Sequence, residues 1–378
     1  MSIMKNDYRR LGDYIRKVDV RNKDLEVTKL LGVSISKEFI PSIANTIGTD
    51  MSSYKVVEPW QFAYGPVTSR NGDKVSIALY KDNENAIVSQ AYTIFEVKNK
   101  LELLPEYLMM WFRRSEFDRY ARFKSHGSAR EIFSWEEMCD VMLPVPPIEQ
   151  QQKIVAEYET VTRRIRLNEQ IIAKLEETAQ ALYRKMFVDG IDKENLPEGW
   201  RMGTLGEIAE YVKDKISLED IEDADYVSTE NMLKDKKGII FSTNKPDNGR
   251  GTKFKREDIL VSNIRPYFKK IWKASFDGAC SNDVLCFRAK DKNNTSLLFY
   301  TIEQDCFFDY VMAGSNGVKM PRGDKYWIMK YPILRPPQKI IVQFQMKTYA
   351  LHKYIFNCKQ EKLQMQKLQS LLLAKIGQ

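Results

Sequence analysis

Five cysteines and two histidines are the residues from which a metal site or a nucleophile would have to be built. Cys139, Cys280, Cys286, Cys306 and Cys358 contain no CxxC pair and are odd in number, so reduced thiols are expected in place of a zinc ribbon or a disulfide framework. His126 and His352 stand outside any HExxH-type cluster, which suits local hydrogen bonding better than metal ligation. No GxxxxGK[ST] loop, GxGxxG fingerprint or GxSxG elbow occurs. A nuclease-type site would need Pro-Asp followed by an acidic residue with a lysine two positions on. The only Pro-Asp, Pro246-Asp247, has no such continuation, and Glu96-Val97-Lys98 reads as a strand with solvent-facing ends. The chain is therefore expected to carry no catalysis, metal or cofactor of its own.

What it does carry is basic and polar residues in turn-like contexts. In the first half these are Ser69, Arg70, Asn71 and Lys74 around an Asn-Gly pair, and Lys124, His126, Ser128 and Arg130 around Gly127. In the second half they are Arg250 and Lys253, then Arg265, Lys269 and Lys270, then Asn316, Lys319, Arg322 and Lys325. Arginine and lysine pair with phosphates, and arginine and asparagine match the edges of guanine and adenine. An ordinary solvated role would suffice for any one of them; the set, present in both halves, points to DNA. The net charge of +8, from 59 basic and 51 acidic residues, suits an anionic partner without requiring one.

The elements that would position these loops are set by one stretch, Ile148–Phe187. Stepping by four and three from Ile154 gives Tyr158, Val161, Ile165, Asn168, Ile172, Leu175, Ala179, Leu182 and Met186, with Asn168 the single polar residue. That spacing is a coiled-coil seam, and a lone seam asparagine is a register-setting residue. Forty helical residues would span roughly 60 Å, too long for one ordinary domain. A second helix is expected over residues 338–376, with a noisier stripe of Phe344, Leu351, Ile355, Cys358, Met365, Leu368 and Leu372 that Lys362 and Gln369 interrupt.

The halves also echo each other. Leu11-Gly12-Asp13 returns as Leu205-Gly206-Glu207, and residues 88–95 parallel 280–287. Leu108, Phe117, Tyr120 and Gly127 return as Leu298, Phe307, Tyr310 and Gly317, and Pro146-Pro147 as Pro336-Pro337. The shift drifts from 194 to 192 to 190 residues, as two small indels in an old duplication would produce. The expected division is a globular part over residues 1–143, a long helix over 144–190, a second globular part over 191–335 and a second long helix over 336–378. Within the globular parts, strands are expected at 74–80, 91–97, 239–242 and 284–289, a hairpin turn at Asn71-Gly72, and single helices at 106–124 and 295–312. The fold class is mixed α/β (α+β), with two similar domains separated by two long antiparallel helices in a coiled coil about a pseudo-two-fold. No run approaches the roughly 18 apolar residues of a membrane span, and a soluble cytoplasmic protein is expected.

This plan resembles the specificity subunit of type I restriction-modification systems, over essentially the whole chain. The resemblance rests on residues 8–15, YRRLGDYI, on 126–132, HGSAREI, on 144–155, PVPPIEQQQKIV, and on Trp200 with Leu205-Gly206-Glu207. In the second half Pro336-Pro337 leads into Gln338-Lys339-Ile340-Ile341, which departs from the Ile-Glu-Gln series. The resemblance implies two target recognition domains that each read one half of a split double-stranded DNA sequence, with the helices as spacer. It also implies docking of two methyltransferase subunits and, through them, restriction subunits, with S-adenosylmethionine, ATP and magnesium on those partners. The alternative is a coiled-coil scaffold or adaptor whose globular parts bind proteins and whose basic loops are incidental.

Overall fold

The computed structural model describes residues 8–42, 48–69, 71–72, 74–126, 131–317 and 319–377. The chain divides into two compact units, Met1–Glu169 with Gln360–Gln378, and Gln170–Lys359.

The first unit is built on an antiparallel sheet ordered Ile15–Val18, Thr93–Val97, Phe62–Tyr64 and Ile77–Leu79. Phe62 and Phe95 stack across neighbouring strands with ring centroids 4.8 Å apart, and Phe112 meets both edge-on. That aromatic layer is covered by two helices, Pro105–Phe112 and Ser115–Lys124. The sequence pattern suggested one helix here, but Arg114 is extended at ψ 141°. The break lets Phe112 and Phe117 both turn into the core, where they are 0% and 3% exposed. It also aims Asp118 inward, where it accepts from Lys37 Nζ at 2.8 Å and from the Val75 amide at 3.1 Å. Asn71-Gly72 does not form a two-residue hairpin. Only Gly72 has positive φ, and the strands that pair, 62–64 and 77–79, are joined by a longer loop.

The second unit has an antiparallel sheet ordered Ala209–Tyr211, Val284–Ala289, Ile259–Ser262 and Ile271–Lys273. A second sheet joins Lys215–Ser217, Arg250–Phe254, Gly278–Cys280 and Tyr226–Val227, the last pair parallel. The single helix expected over 295–312 is again two, Thr295–Ile302 and Asp305–Ala313. Residues 239–242 are not a strand. Ile239 makes one isolated bridge to Met232, and Ile240 and Phe241 lie exposed.

The first long helix runs Ile148–Phe187, the bounds that its spacing suggested, and the second runs Gln338–Lys375. Gln151 explains the glutamine run after Pro147. Buried, it donates to the carbonyls of Glu102 and Pro146 at 2.7 and 2.8 Å and accepts from the Leu104 amide at 2.9 Å, satisfying backbone groups at a helix start. Within the first unit the two helices run antiparallel: Arg164 pairs with Glu361 at 2.9 Å, and Gln369 donates to Thr162 Oγ1 at 2.8 Å. Within the second unit Lys359 meets Glu176 at 3.0 Å, and Phe344 packs on Tyr183 and Phe187. Val155, Tyr158 and Ile376 enter the first unit's core, as Ala179, Tyr183, Ile341 and Phe344 enter the second's.

Candidate nucleic-acid interface

A grouping of cations lies in the second unit, around the loop that leaves strand Ile259–Ser262. Residues Pro266–Phe268 form a single 3-10 turn bracketed by Arg265 at φ 51° and Lys269 at φ 49°. A second loop brings Asp235 at φ 56° and Lys236 at φ 62° against it. Left-handed backbone costs a non-glycine residue on the order of 1–2 kcal/mol, and Arg265 also precedes a proline, which disfavours this region further. Four of the eight such residues among the described ones are gathered here. The conformation persists because it is over-determined. The amides of Asp235 and Lys236 donate to the Phe268 and Lys269 carbonyls at 3.0 and 2.9 Å, and the Arg265 amide to the Pro321 carbonyl at 2.9 Å.

The side chains on this frame are cationic. Lys234 Nζ sits 4.1 Å from the Phe268 ring centroid, with Lys270 Nζ at 6.0 Å. Lys236 and Lys269 both reach Asp305, at 2.6 and 3.0 Å, and their hydrogen bonds hold that carboxyl below its usual range. Lys270 donates to the Thr229 carbonyl, and burial, then Lys234, pushes its ammonium pKa down. Asn263 Oδ1 and Arg265 Nε are buried without hydrogen-bond partners. The hairpin Ser315–Asn316 with Arg322–Gly323 joins this loop through the Ile264–Arg322 bridge. Arg322 is tied to Asp283 at 3.0 Å, while Asn316, Lys319 and Lys325 are exposed. The fold therefore brings Arg265, Lys269, Lys270, Asn316 and Arg322 to one place, whereas Arg250 and Lys253 stand exposed on a strand of the other sheet.

In the first unit the two basic segments also meet. Thr68 Oγ1 donates to Ser125 Oγ at 3.0 Å, Arg122 to the Gly72 carbonyl at 2.6 Å, and Val67 bridges Ile132. Ser69 and Lys74 are exposed, whereas Asn71 spends its amide on the Val67 carbonyl at 3.2 Å. Lys124 and His126 face Glu137 at 3.4 and 3.9 Å. Arg70, Ser128 and Arg130 lie outside the described residues.

Of the helix stripe, Tyr158, Val161, Ile165, Asn168, Ile172 and Ala179 are buried on the first helix, with Ile154, Leu175, Leu182 and Met186 partly so. On the second helix Phe344, Ile355 and Cys358 are buried and Leu351, Met365 and Leu372 partly buried. Leu368 is 40% exposed. The inward places are taken by Lys362 and Gln369, which find Glu169 and Thr162.

Residues 18–177 match the family described as Type I restriction modification DNA specificity domain. This match covers 160 of the chain's 378 residues. The matched span takes in most of the first unit's globular part and three-quarters of the first long helix. Specificity subunits are recognition proteins and not enzymes. The Type I restriction enzyme HindI specificity subunit of Haemophilus influenzae is 27% identical over 151 residues, 39% of this chain and 32% of that protein's length. The Type I restriction enzyme EcoDI specificity subunit of Escherichia coli is 22% identical over 371 residues, 85% of this chain and 79% of that protein. In fold, this chain is similar to the S subunit of a type I restriction-modification system from M. genitalium, with a TM-score of 0.59 over 100% of this chain and 99% of that one, at 12% identity. Among the described residues no helix is long and apolar enough to cross a membrane. Lys234 and Lys236 are the cluster members that sequence reasoning missed. They lie some thirty residues from Arg265, and tertiary contacts between the two loops join them.

Proposed function

We propose that this chain is the sequence-specific DNA-binding subunit of a type I restriction-modification complex, in which two target recognition domains each read one half of a bipartite duplex target. The paired stretches of the long helices act as a coiled-coil spacer that sets the gap between half-sites. The chain docks two methyltransferase subunits and, through them, restriction subunits; S-adenosylmethionine, ATP and magnesium belong to those partners. The observation that carries the reading is the lysine and arginine cluster held on a strained, over-determined turn, in a chain matched over residues 18–177 by a DNA specificity family. Phosphate contacts by such residues hold the duplex, and groups on the same loops choose bases. The recurrence of one four-strand order in both units and the drifting sequence repeat support two domains.

The test exchanges residues 196–334 for the matching region of another specificity subunit, and then selects bound duplexes from a randomised pool. One half of the enriched motif should change while the other half stays. A change in both halves would refute the division into two readers, and a wild-type chain that enriches no motif would favour a scaffold.

A further inference from the structure

The turn inside the lysine cluster also carries an exposed aromatic residue. Tyr267, in the middle of the 3-10 turn, is 48% exposed, and its ring leans edge-on against Phe268 with centroids 4.7 Å apart. Its neighbours in the turn face otherwise: Pro266 is buried, and Phe268 is partly buried beneath Lys234. The amides of Phe268 and Lys269 donate back to the Arg265 and Pro266 carbonyls at 3.0 and 2.8 Å. The turn is therefore closed from within and clamped from the 235–236 loop and from Pro321. A tyrosine on such a frame loses little conformational freedom when it makes a contact, because its backbone is already fixed and its side chain has two torsions.

The surroundings say what it would contact. At four left-handed positions, where glycine would sit without strain, the chain keeps Arg265, Lys269, Asp235 and Lys236. Three of the four are cations, and retaining strained residues is a feature of sites where strain is tolerated for function. Elsewhere in this unit Tyr326 lies under Lys330 Nζ at 4.3 Å and Phe241 stacks on Phe276 at 5.9 Å, while Tyr349 and Tyr354, also exposed, lie on the long helix Gln338–Lys375. Phosphate contacts by this cluster would hold the neighbouring phenol close to the bases. There the ring packs on a base or a thymine methyl, and the hydroxyl can donate to or accept from a base edge.

We infer that Tyr267 is a base-contacting, specificity-determining residue for the half-site read by the second unit. This rests on the reading that the unit recognises duplex DNA, and the test separates the two. The full chain and its Tyr267→Ala and Tyr267→Phe variants are each used to enrich duplexes from a randomised pool, and binding is measured on the wild-type motif and on an unrelated duplex. Tyr267→Ala should bind the wild-type motif roughly tenfold more weakly, the scale of losing one aromatic contact to a base. It should lose preference at one or two adjacent positions of one half-site, keep the other half, and bind the unrelated duplex as before. Tyr267→Phe keeps the ring and so should retain part of the preference. As a contrast, Lys269→Gln should weaken both duplexes alike and lower the salt dependence by about one counterion. Melting temperatures equal to wild type check that the substitutions leave the fold intact. If the wild-type chain enriches a motif and Tyr267→Ala enriches the same motif with unchanged affinity, the assignment is wrong. If the wild-type chain enriches none, the DNA reading itself fails, and the assignment with it.

Discussion

Replacing Asn168 with leucine should make the first unit more stable. Asn168 is 1% exposed in the helix seam, and its Nδ2 and Oδ1 both lack a partner at hydrogen-bonding geometry. Its influence on Glu361 is the weaker one, after Arg164, in holding that carboxyl below its usual range. A buried polar group without a partner costs about 1–3 kcal/mol, and leucine removes that cost while filling a similar volume between Ile165 and Ile172. Taking about 2 kcal/mol, and about 2–4 °C per kcal/mol for a unit of this size, the midpoint should rise by roughly 4–8 °C. Calorimetry of the full chain measures it, with the second unit's transition as internal reference. A midpoint that is unchanged or lower would show that the amide is satisfied in the folded chain. Under the proposed spacer role, the same substitution removes the polar residue expected to set register, so the variant should accept a wider range of gaps between half-sites. Retention of a single preferred gap would show that register is set elsewhere.

Two further substitutions probe buried charge. Glu303 Oε2 is buried without a partner, and burial, with Glu176 nearby, raises its pKa to about 7. A raised carboxyl pKa contributes stability that is complete below about pH 4.5 and lost as pH rises through about 7; Glu303→Gln should therefore stabilise the second unit by about 1–3 kcal/mol at pH 8 and hardly at pH 4. Parallel pH profiles of unfolding for the two proteins would contradict this. Asp118→Asn strands the Lys37 ammonium, 4% exposed and also bonded to the Phe112 carbonyl. It should cost about 3–5 kcal/mol in the first unit's transition alone, as read by urea denaturation, and Lys37→Met added to it should recover much of that loss.

The parts that the sequence made legible were those governed by local period. The first long helix was readable from end to end because its three-four spacing holds from Tyr158 to Ala179 and its start is marked by Pro146-Pro147. The second helix was read less well. Lys362 and Gln369 looked like interruptions because a polar type was taken for an outward direction, yet both turn inward to partners on the other helix. The breaks at Arg114 and between Ile302 and Asp305 carried no glycine or proline signal, and only the need to bury Phe117 and Phe307 requires them. Among the site residues, Arg265, Lys269 and Lys270 were visible as a local run. Lys234, Lys236 and Asp305 came to it through tertiary contact, which spacing along the chain does not encode.

The first unit is discontinuous. Residues 360–378 return to it after the whole second unit, Ile376 is 2% exposed in its core, and the Tyr8 hydroxyl donates to the Gly377 carbonyl at 3.0 Å. During synthesis the ribosome therefore delivers the last piece of the first unit only after the 190 residues of the second, numbers 170 to 359, a delay of roughly 10–40 s at ordinary elongation rates. Through that interval the groove that will take Leu372, Leu373 and Ile376 stands open on the nascent chain. A chain lacking residues 370–377 would keep the second unit intact while the first could not close its core.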